Sequence, residues 1–291
     1  MAQRLASDHP NDRSLHMRPV PRTGGLAIHV GLLVAWLYLL PTFKLMAVLV
    51  TVLAATSFFD DRRGLPVALR LGMHFVAAGI FAHVLLPELD AIAQVAVVVV
   101  VVWMTNLYNF MDGSDGLAGG MTLFGFVFLG IAALRAGAPE FAILNFSISS
   151  AAAAFLVFNF HPARIFLGDA GSIPLGFVAA TASIWGWYKS YWDPSFPLLV
   201  FSAFVADATV TLLKRVLRGD RFWLAHREHY YQRLVRMGWG HRTTALAEYS
   251  IMVLSGVVAL MAFRLGALAQ ASLTVGWFVF IVSLLVAVDV R

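Results

Sequence analysis

The 291-residue chain contains no cysteine, and only 13% of its residues are charged. Without cysteine, a secreted scaffold held together by disulfides is excluded. A soluble domain carries about 25% charged residues, so this chain has too few charges to cover a water-facing surface, which excludes a soluble enzyme. Residues 1–25 are polar and lack the apolar run of a signal peptide, so we expect no cleaved leader.

Hydrophobic residues make up 60% of the chain, and the mean hydropathy is +0.78, which excludes intrinsic disorder. A helix that crosses a bilayer needs about 20 apolar residues. The pattern therefore predicts an all-α, polytopic integral membrane protein, with a single membrane domain over residues 1–291 and about ten transmembrane helices. The predicted spans are 26–41, 44–59, 70–87, 91–108, 119–135, 140–160, 174–189, 195–214, 244–263 and 269–289.

The basic residues are distributed unevenly over the two sides of the predicted bundle. Most of the 21 Lys and Arg residues lie on the side of the N-terminal segment 1–25 and the large loop 214–243. The exceptions are Lys44, Arg135, Lys189 and Arg264. Because Lys and Arg accumulate in cytoplasmic loops, segments 1–25 and 214–243 are predicted to be cytoplasmic. The same rule accounts for the net charge of +5, so we expect no nucleic-acid partner.

Carboxylates also accumulate on the predicted cytoplasmic side, and the rule for basic residues does not account for them. The acidic residues there are Asp8, Asp12, Asp60, Asp61, Asp112, Asp115, Asp169, Asp220, Glu228 and Asp289. Carboxylates among arginines at the mouth of a helix bundle suggest a site for a metal ion and phosphates. We therefore expect an active site at this face.

Two adjacent carboxylates, Asp60 and Asp61, follow the second predicted span and precede Arg62 and Arg63. Adjacent carboxylates at a membrane boundary repel each other unless a cation neutralises them. A solvated helix end with a basic stop signal explains the pair equally well. The pair alone does not decide between a functional and a structural role.

The stretch from Asn106 to Gly120 contains the most informative polar pattern. Asn106, Asn109 and Asp112 are three residues apart, so they lie roughly on one helical face, and Asp115 follows them. A polar loop with Asx turns is the structural alternative. It does not explain two amides within the end of an apolar helix, where unpaired amides are costly. We therefore predict that this stretch contributes to a binding site.

A second polar turn, at residues 166–174, opens the seventh predicted span. Gly168 and Gly171 leave backbone N–H groups accessible, and a helix N-terminus with free N–H groups binds anions. Asp169 could hold a divalent cation there, because Mg²⁺ is usually bound by one or two carboxylates plus substrate phosphates. The alternative is an ordinary helix start capped by Ser172.

The large loop 214–243 is rich in Lys and Arg and contains His226-Arg227-Glu228-His229. The two histidines could share a helical face, but their spacing is a weak zinc signal and no cysteine supports it. Contacts with phosphates or anionic head groups are favoured over zinc. A positively charged loop with surface histidines explains the pattern equally well.

Two more features point to the same face. The turn Pro21-Arg22-Thr23-Gly24-Gly25 adds an arginine beside two glycines. Asp207 lies within the eighth span, where a carboxylate is a functional candidate by default. A role in helix packing is equally consistent with its position.

Together these motifs resemble the bacterial polyprenyl-phosphate N-acetylhexosamine-1-phosphate transferases of glycosyltransferase family 4, a superfamily that includes the phospho-MurNAc-pentapeptide translocase. The likeness rests on residues 21–25, 60–61, 106–120, 166–172 and 226–234, which occur in family order. The pentapeptide translocases carry consecutive histidines in the last large loop, whereas this chain has His226 and His229. It is therefore more similar to members that initiate O-antigen and related surface glycans. Family members usually carry one more helix before the segment 8–25.

The resemblance implies a reaction at the cytoplasmic face of the bacterial inner membrane. A sugar-1-phosphate would pass from a UDP-N-acetylhexosamine to undecaprenyl phosphate, which releases UMP and begins a lipid-linked surface polysaccharide. The implied cofactor is Mg²⁺, with Mn²⁺ as a substitute. The expected partners are both substrates and membrane lipid, and a homodimer is left open.

The resemblance also implies roles for particular residues. Asp169 would be the first metal ligand, with support from Asp112 and Asp115. Asp60 and Asp61 would be catalytic, either through an aspartyl-phosphate or by positioning the acceptor and the metal. The residues expected to bind substrate are Asn106, Asn109, Asp112, Asp115, His226, Arg227, His229, Gly168 and Arg22.

Three other interpretations fit the sequence less well. An ion-coupled transporter would place polar or broken helices near the midplane, whereas nearly all ionisable residues here lie at one interface. A phosphatidyltransferase of the CDP-alcohol type has an Asp-Gly motif that continues to Ala-Arg, and the sequence from Asp112 to Gly120 lacks that arginine. A non-catalytic scaffold would not need Asp169 beside two glycines at a helix start.

Overall fold

The computed structural model describes residues 7–8, 19–221, 226–263 and 265–290. Most of the predicted cytoplasmic segment 1–25, four residues of the large loop, and Arg264 lie outside the described residues. Two short strands, β1 (Ser7–Asp8) and β2 (Val20–Pro21), pair antiparallel. The rest of the regular structure in the described ranges is helical.

Twelve α-helices form the bundle within the described ranges. They are α1 (Gly24–Leu39), α2 (Lys44–Arg63), α3 (Val67–Ile80), α4 (Ala91–Phe110), α5 (Leu117–Arg135), α6 (Pro139–Asn159), α7 (Asp169–Tyr188), α8 (Ser195–Val200), α9 (Ser202–Leu217), α10 (Tyr230–Leu234), α11 (Gly240–Ala262) and α12 (Ala267–Asp289). Wider π-helical turns extend α3 through Leu85 and join α10 to α11.

The predicted all-α polytopic membrane architecture is confirmed. Each of the ten predicted spans coincides with one helix or, for 195–214, with the consecutive helices α8 and α9. Seven helical segments in the described ranges are long and apolar enough to cross a membrane, and α1 is a shorter apolar helix. The main boundary error is at α7, which begins at Asp169 rather than Pro174. Gly168, whose φ is +71°, is the last residue before the helix. Because the helix begins directly after it, Pro174 lies inside the helix.

Helix α7 lies at the centre of the bundle and packs against α1, α2, α4 and α5. Every residue from Ala170 to Ala182 is buried, which leaves no lipid-facing side along this part of the helix. By contrast, α12 buries only Gln270 and Ile281. The central position of α7 places its first residue, Asp169, among the ends of its neighbours.

Glycines bring the N-terminal ends of α1 and α7 into backbone contact. The Gly24 N–H donates to the Phe166 carbonyl oxygen at 3.0 Å, and the Gly25 N–H donates to the Leu167 carbonyl oxygen at 2.9 Å. A Cβ atom at Gly25 would lie 2.3 Å from the Gly171 Cα. Two motifs that are far apart in sequence, 21–25 and 166–171, are therefore held side by side.

Gly25→Ala is expected to lower the stability of the bundle, because the added methyl group would meet backbone atoms that cannot move aside. Overpacking of this kind costs about 1–3 kcal/mol. The melting temperature of the purified protein in detergent would measure the loss. Gly31→Ala on the same helix is the matched control, since no atom lies within 4 Å of its added Cβ. Equal melting temperatures for the two variants would contradict this account of the contact.

Candidate active site

Four carboxylates and two arginines from separate segments converge at one end of the bundle. Asp60 and Asp61 come from the last turn of α2, Asp112 from the turn after α4, and Asp169 from the start of α7. Arg22 precedes α1, and Arg70 lies in the first turns of α3. The six side chains, called the acid cluster below, are Arg22, Asp60, Asp61, Arg70, Asp112 and Asp169.

Asp60 uses both carboxylate oxygens within the protein. Its Oδ1 accepts a hydrogen bond from the Leu65 N–H at 2.6 Å, and its Oδ2 accepts one from Arg70 Nη1 at 2.8 Å. Its side chain is only 8% exposed. Asp60 therefore fixes the start of α3 and orients Arg70, whose Nη1 also lies 3.9 Å from Asp169 Oδ2.

Asp61 faces α7 and has looser contacts. The Ala170 N–H donates to its Oδ2 at 3.4 Å, and Arg22 Nη1 lies 3.7 Å from its Oδ1. Both distances are longer than those of Asp60, so Asp61 keeps more capacity to accept a further partner. The two adjacent carboxylates therefore have different surroundings, because one faces α3 and the other faces α7.

Asp112 is the fourth carboxylate of the acid cluster. Nearby, Asn109 in the last turn of α4 binds α7. Burial, together with the Asp169 carboxylate, raises the pKa of Asp112 well above its usual range, while Arg22 opposes the shift. The Ser172 hydroxyl donates to Asn109 Oδ1 at 2.6 Å. The stretches 106–120 and 166–174 are thus joined by a direct side-chain contact.

The donor set of the acid cluster fits Mg²⁺. Carboxylate oxygens are the hard ligands that this ion prefers, and the four carboxylates exceed the two arginines in charge. Among the described residues, no three His, Asp or Glu side chains form a complete ligand group by themselves. An ion bound here would therefore need substrate phosphates to complete its shell, and the Mg²⁺ site stays a prediction.

Asn106 lies one turn farther inside α4 than Asn109. Its Nδ2 donates to the Val102 carbonyl oxygen at 2.7 Å and lies 3.3 Å from His74 Nδ1. These contacts provide partners for the amide nitrogen inside the apolar helix. Its role in holding the nucleotide stays a prediction.

Asp115 has different partners from the four carboxylates of the acid cluster. Its Oδ2 accepts from His161 Nδ1 at 2.7 Å and from the Ala163 N–H at 3.1 Å. The His161 ring stacks on His241 at 5.5 Å between centroids. Asp115 therefore joins the turn after α4 to the α6–α7 connection, and its support of a metal stays a prediction.

The histidine motif is anchored by Asp207, the carboxylate inside the eighth span. Asp207 Oδ1 accepts from the Tyr230 N–H at 2.9 Å and lies 3.2 Å from His229 Nδ1, while Oδ2 accepts from the Tyr231 N–H at 2.9 Å. Asp207 thus caps the start of α10. This is a packing role, one of the two that the sequence allowed.

His229 is not a surface histidine, which corrects one of the two interpretations of the loop. It is 3% exposed, and its ring stacks against Phe110 at the end of α4. Burial, His229 and Arg215 lower the pKa of His226 to about 4, so His226 is neutral at pH 7. Contacts of His226, Arg227 and His229 with the donor stay predictions.

Sequence reasoning missed Arg70 and His161. Arg70 is the one charged residue in α3, and a lone arginine near the start of an apolar helix could have been recognised as a partner for the preceding carboxylates. His161 carried no such signal, because its partner Asp115 is 46 residues away. Arg227 was predicted to bind substrate together with His226 and His229. In the structure it lines a different cavity, between the ends of α9, α10 and α12.

Comparison with known proteins shows related chains. Residues 43–187 match the model of glycosyl transferase family 4, a range that includes the carboxylates of the acid cluster. The chain is similar to a probable undecaprenyl-phosphate N-acetylglucosaminyl 1-phosphate transferase of Bacillus subtilis (strain 168), with 28% identity over 300 residues, covering 97% of this chain and 82% of that protein. It is also similar to a decaprenyl-phosphate N-acetylglucosaminephosphotransferase of Mycobacterium leprae (strain TN), with 28% identity over 298 residues, covering 86% and 75% respectively. A phospho-N-acetylmuramoyl-pentapeptide-transferase of Staphylococcus saprophyticus is 30% identical over 167 residues, which cover 56% of this chain and 51% of that protein.

Proposed function

Since this chain belongs to glycosyl transferase family 4, we propose that it transfers an N-acetylhexosamine-1-phosphate to a polyprenyl phosphate in the membrane. In the full proposal, the donor is a UDP-N-acetylhexosamine, the acceptor is undecaprenyl phosphate, and UMP is released. The transfer would take place at the cytoplasmic face of a bacterial inner membrane and begin a surface polysaccharide. The observation that carries the proposal is the convergence of four carboxylates and two arginines at one end of a membrane bundle.

The chemical obstacle is repulsion, because an anionic phosphate must approach an anionic diphosphate. Mg²⁺ held by Asp169, with Asp112 and Asp61 beside it, would neutralise phosphate oxygens. Arg22 and Arg70 approach the same carboxylates and supply fixed positive charge. Such charges, positioned in advance, are the main source of catalysis in phosphoryl transfer.

Arg70 has a donor that the protein does not use. Its Nε is buried and has no hydrogen-bond acceptor among the described residues. A buried N–H group without an acceptor is costly. A phosphate oxygen of a substrate would satisfy it, which supports the proposal that Arg70 contacts the reacting groups.

Asp60 fits a positioning role better than that of a nucleophile or a base. Both of its oxygens already accept hydrogen bonds within the protein. A phosphate monoester has its second pKa near 6, so most of the acceptor is dianionic at pH 7 and a general base gains little.

Asp60→Asn is therefore expected to retain activity within about tenfold of the parent at pH 8.5, where the acceptor is fully dianionic. The initial rate of UMP release measures this, with Asp193→Asn, an exposed carboxylate in the α7–α8 connection, as the control. Near-total loss at pH 8.5 in the Asp60 variant alone would favour an aspartyl-phosphate intermediate.

The proposal is tested with the purified protein in detergent, undecaprenyl phosphate, Mg²⁺ and one UDP-N-acetylhexosamine at a time. We expect lipid-dependent UMP release with UDP-GlcNAc, because the names of two of the relatives specify N-acetylglucosamine. Release with UDP-QuiNAc or UDP-FucNAc instead would keep the reaction and correct the sugar. No release with any donor, from a protein that is folded by its melting curve, would reject the proposal.

A further inference from the structure

A second polar cavity, distinct from the acid cluster, lies between the ends of α9, α10 and α12. Its volume is about 370 Å³. Thr211, Lys214 and Arg218 line it from the side of α9, and Asp289 lines it from the last residue of α12. None of the six residues of the acid cluster is part of its lining.

The cavity is strongly basic. Its cationic side chains are Lys214, Arg218, Arg227, Arg233 and Arg236, and its carboxylates are Glu228 and Asp289. Five positive and two negative side chains leave a net charge of +3. The excess positive charge favours binding of an anion, because oppositely charged groups attract each other.

Part of this charge is already fixed in place. Asp289 binds Lys214 and Arg233, and Glu228 binds Arg218 and Arg215. These pairs hold the cationic groups around the cavity.

The remaining charge is uncompensated within the protein. Arg227 and Arg236 have no ion-pair or hydrogen-bond partner among the residues that the structure describes. Two guanidinium groups are therefore available to a ligand at the cavity, while ion pairs hold Lys214, Arg218 and Arg233.

The cavity and the candidate active site lie on different faces of α10. Tyr231 faces the end of α4, where its hydroxyl donates to the Phe110 carbonyl oxygen at 3.0 Å. Tyr230 faces the other way, and its hydroxyl donates to Asp289 Oδ2 at 3.0 Å. Arg233 is on the face of Tyr230, one turn along. The cavity is therefore not an extension of the acid cluster.

Exposed apolar side chains lie on α9 and α12, the two long helices that contribute to the cavity. Leu213, Val216 and Leu217 on α9 are all more than half exposed, and Leu217 reaches 77%. Val286 and Val290 near the end of α12 are exposed as well. A basic cavity beside exposed apolar helix surfaces, at the end of the membrane-spanning helix α12, matches the level of lipid head groups.

We propose that this cavity binds the phosphodiester head group of an anionic membrane phospholipid, with the acyl chains along the exposed faces of α9 and α12. Arg227 and Arg236 would bind the phosphate oxygens, and the groups fixed by Asp289 and Glu228 would supply the surrounding charge. The site shares no residue with the acid cluster, and lipid binding there does not depend on the proposed transfer reaction. It assigns Arg227 to the lipid phosphate instead of the donor.

Native mass spectrometry of the full-length protein in detergent tests the proposal. The protein is mixed with phosphatidylglycerol or with phosphatidylethanolamine, which has the same phosphate but no net charge. We expect preferential retention of one phosphatidylglycerol. Arg236→Gln should weaken it about fivefold, the factor that corresponds to about 1 kcal/mol for one basic residue at an anionic surface.

Two controls keep the result specific. Arg242→Gln removes an exposed arginine from the same end of the bundle, outside the cavity, and should leave retention unchanged. Arg218→Gln removes a second lining charge and should weaken retention as Arg236→Gln does.

Three results would overturn the proposal. One is equal retention of the two lipids, and another is equal loss in the Arg236 and Arg242 variants. The third is displacement of phosphatidylglycerol by millimolar glycerol phosphate, which would identify the site as one for soluble phosphate esters.

Discussion

Asp169→Ala is expected to reduce transfer by about 10³-fold, the range found when a preorganised electrostatic contact to the reacting groups is removed. Asp169 is the first residue of the central helix α7, and Arg70 lies 3.9 Å from its carboxylate. Its removal would leave the proposed Mg²⁺ without its main ligand. The effect on folding should be small, because an acidic residue in the first turn of a helix contributes about 0.3–1 kcal/mol.

The initial rate of UMP release and the melting temperature should therefore separate in this variant. Asp193→Asn serves again as the control and should change neither quantity. If Asp169→Ala kept more than a tenth of the parent rate at saturating Mg²⁺, Asp169 would not be the metal ligand. If the variant lost its fold together with its activity, the test would move to Asp169→Asn, for which we expect the same loss of rate.

Arg70→Gln is expected to reduce transfer by about 10²-fold, because Arg70 joins Asp60, Asp169 and an unused buried donor in one side chain. Arg70→Lys should recover only part of the rate, since an ammonium group keeps the charge but not the planar arrangement of donors. The ratio of the parent rate to the Arg70→Lys rate measures how much the geometry contributes beyond the charge.

Arg62→Gln is the matched control, because Arg62 lies near the same end of α2 and its guanidinium carbon lies 4.9 Å from the centroid of the Phe58 ring. We expect its rate to stay within about twofold of the parent, as for a surface substitution. A loss as large as that of Arg70→Gln would mean that general charge at this end of the bundle matters and that the position of Arg70 does not.

The membrane architecture could be predicted because its signal is local. Apolar runs of the required length define the helices, and the seven spanning segments are among those predicted. The distribution of charges between the two sides of the bundle indicated that the polar motifs could meet, since segments on one side of a bilayer can converge. It did not indicate which motifs do so. The start of α7 was misplaced because Pro174 is typical of a first turn, and only the backbone contact of Gly25 with Leu167 and Gly171 shows why the helix begins earlier.

Individual partners could not be predicted, because they depend on long-range packing. Nothing in the sequence pairs Asp115 with His161 or Asp207 with the start of α10. The adjacent residues Asp60 and Asp61 are equivalent as a sequence, yet successive positions on a helix point about 100° apart, so one faces α3 and the other α7. Their different roles follow from that rotation.

The most direct test of the proposed reaction is to follow the β-phosphate of the donor. Transfer of a sugar-1-phosphate moves this atom to the lipid, whereas transfer of the sugar alone leaves it in UDP. With UDP-N-acetylhexosamine labelled at the β-phosphorus with ³²P, we predict that the label enters the polyprenyl product in equal amount to the UMP released. Label that remains in UDP while the lipid gains sugar would contradict the account.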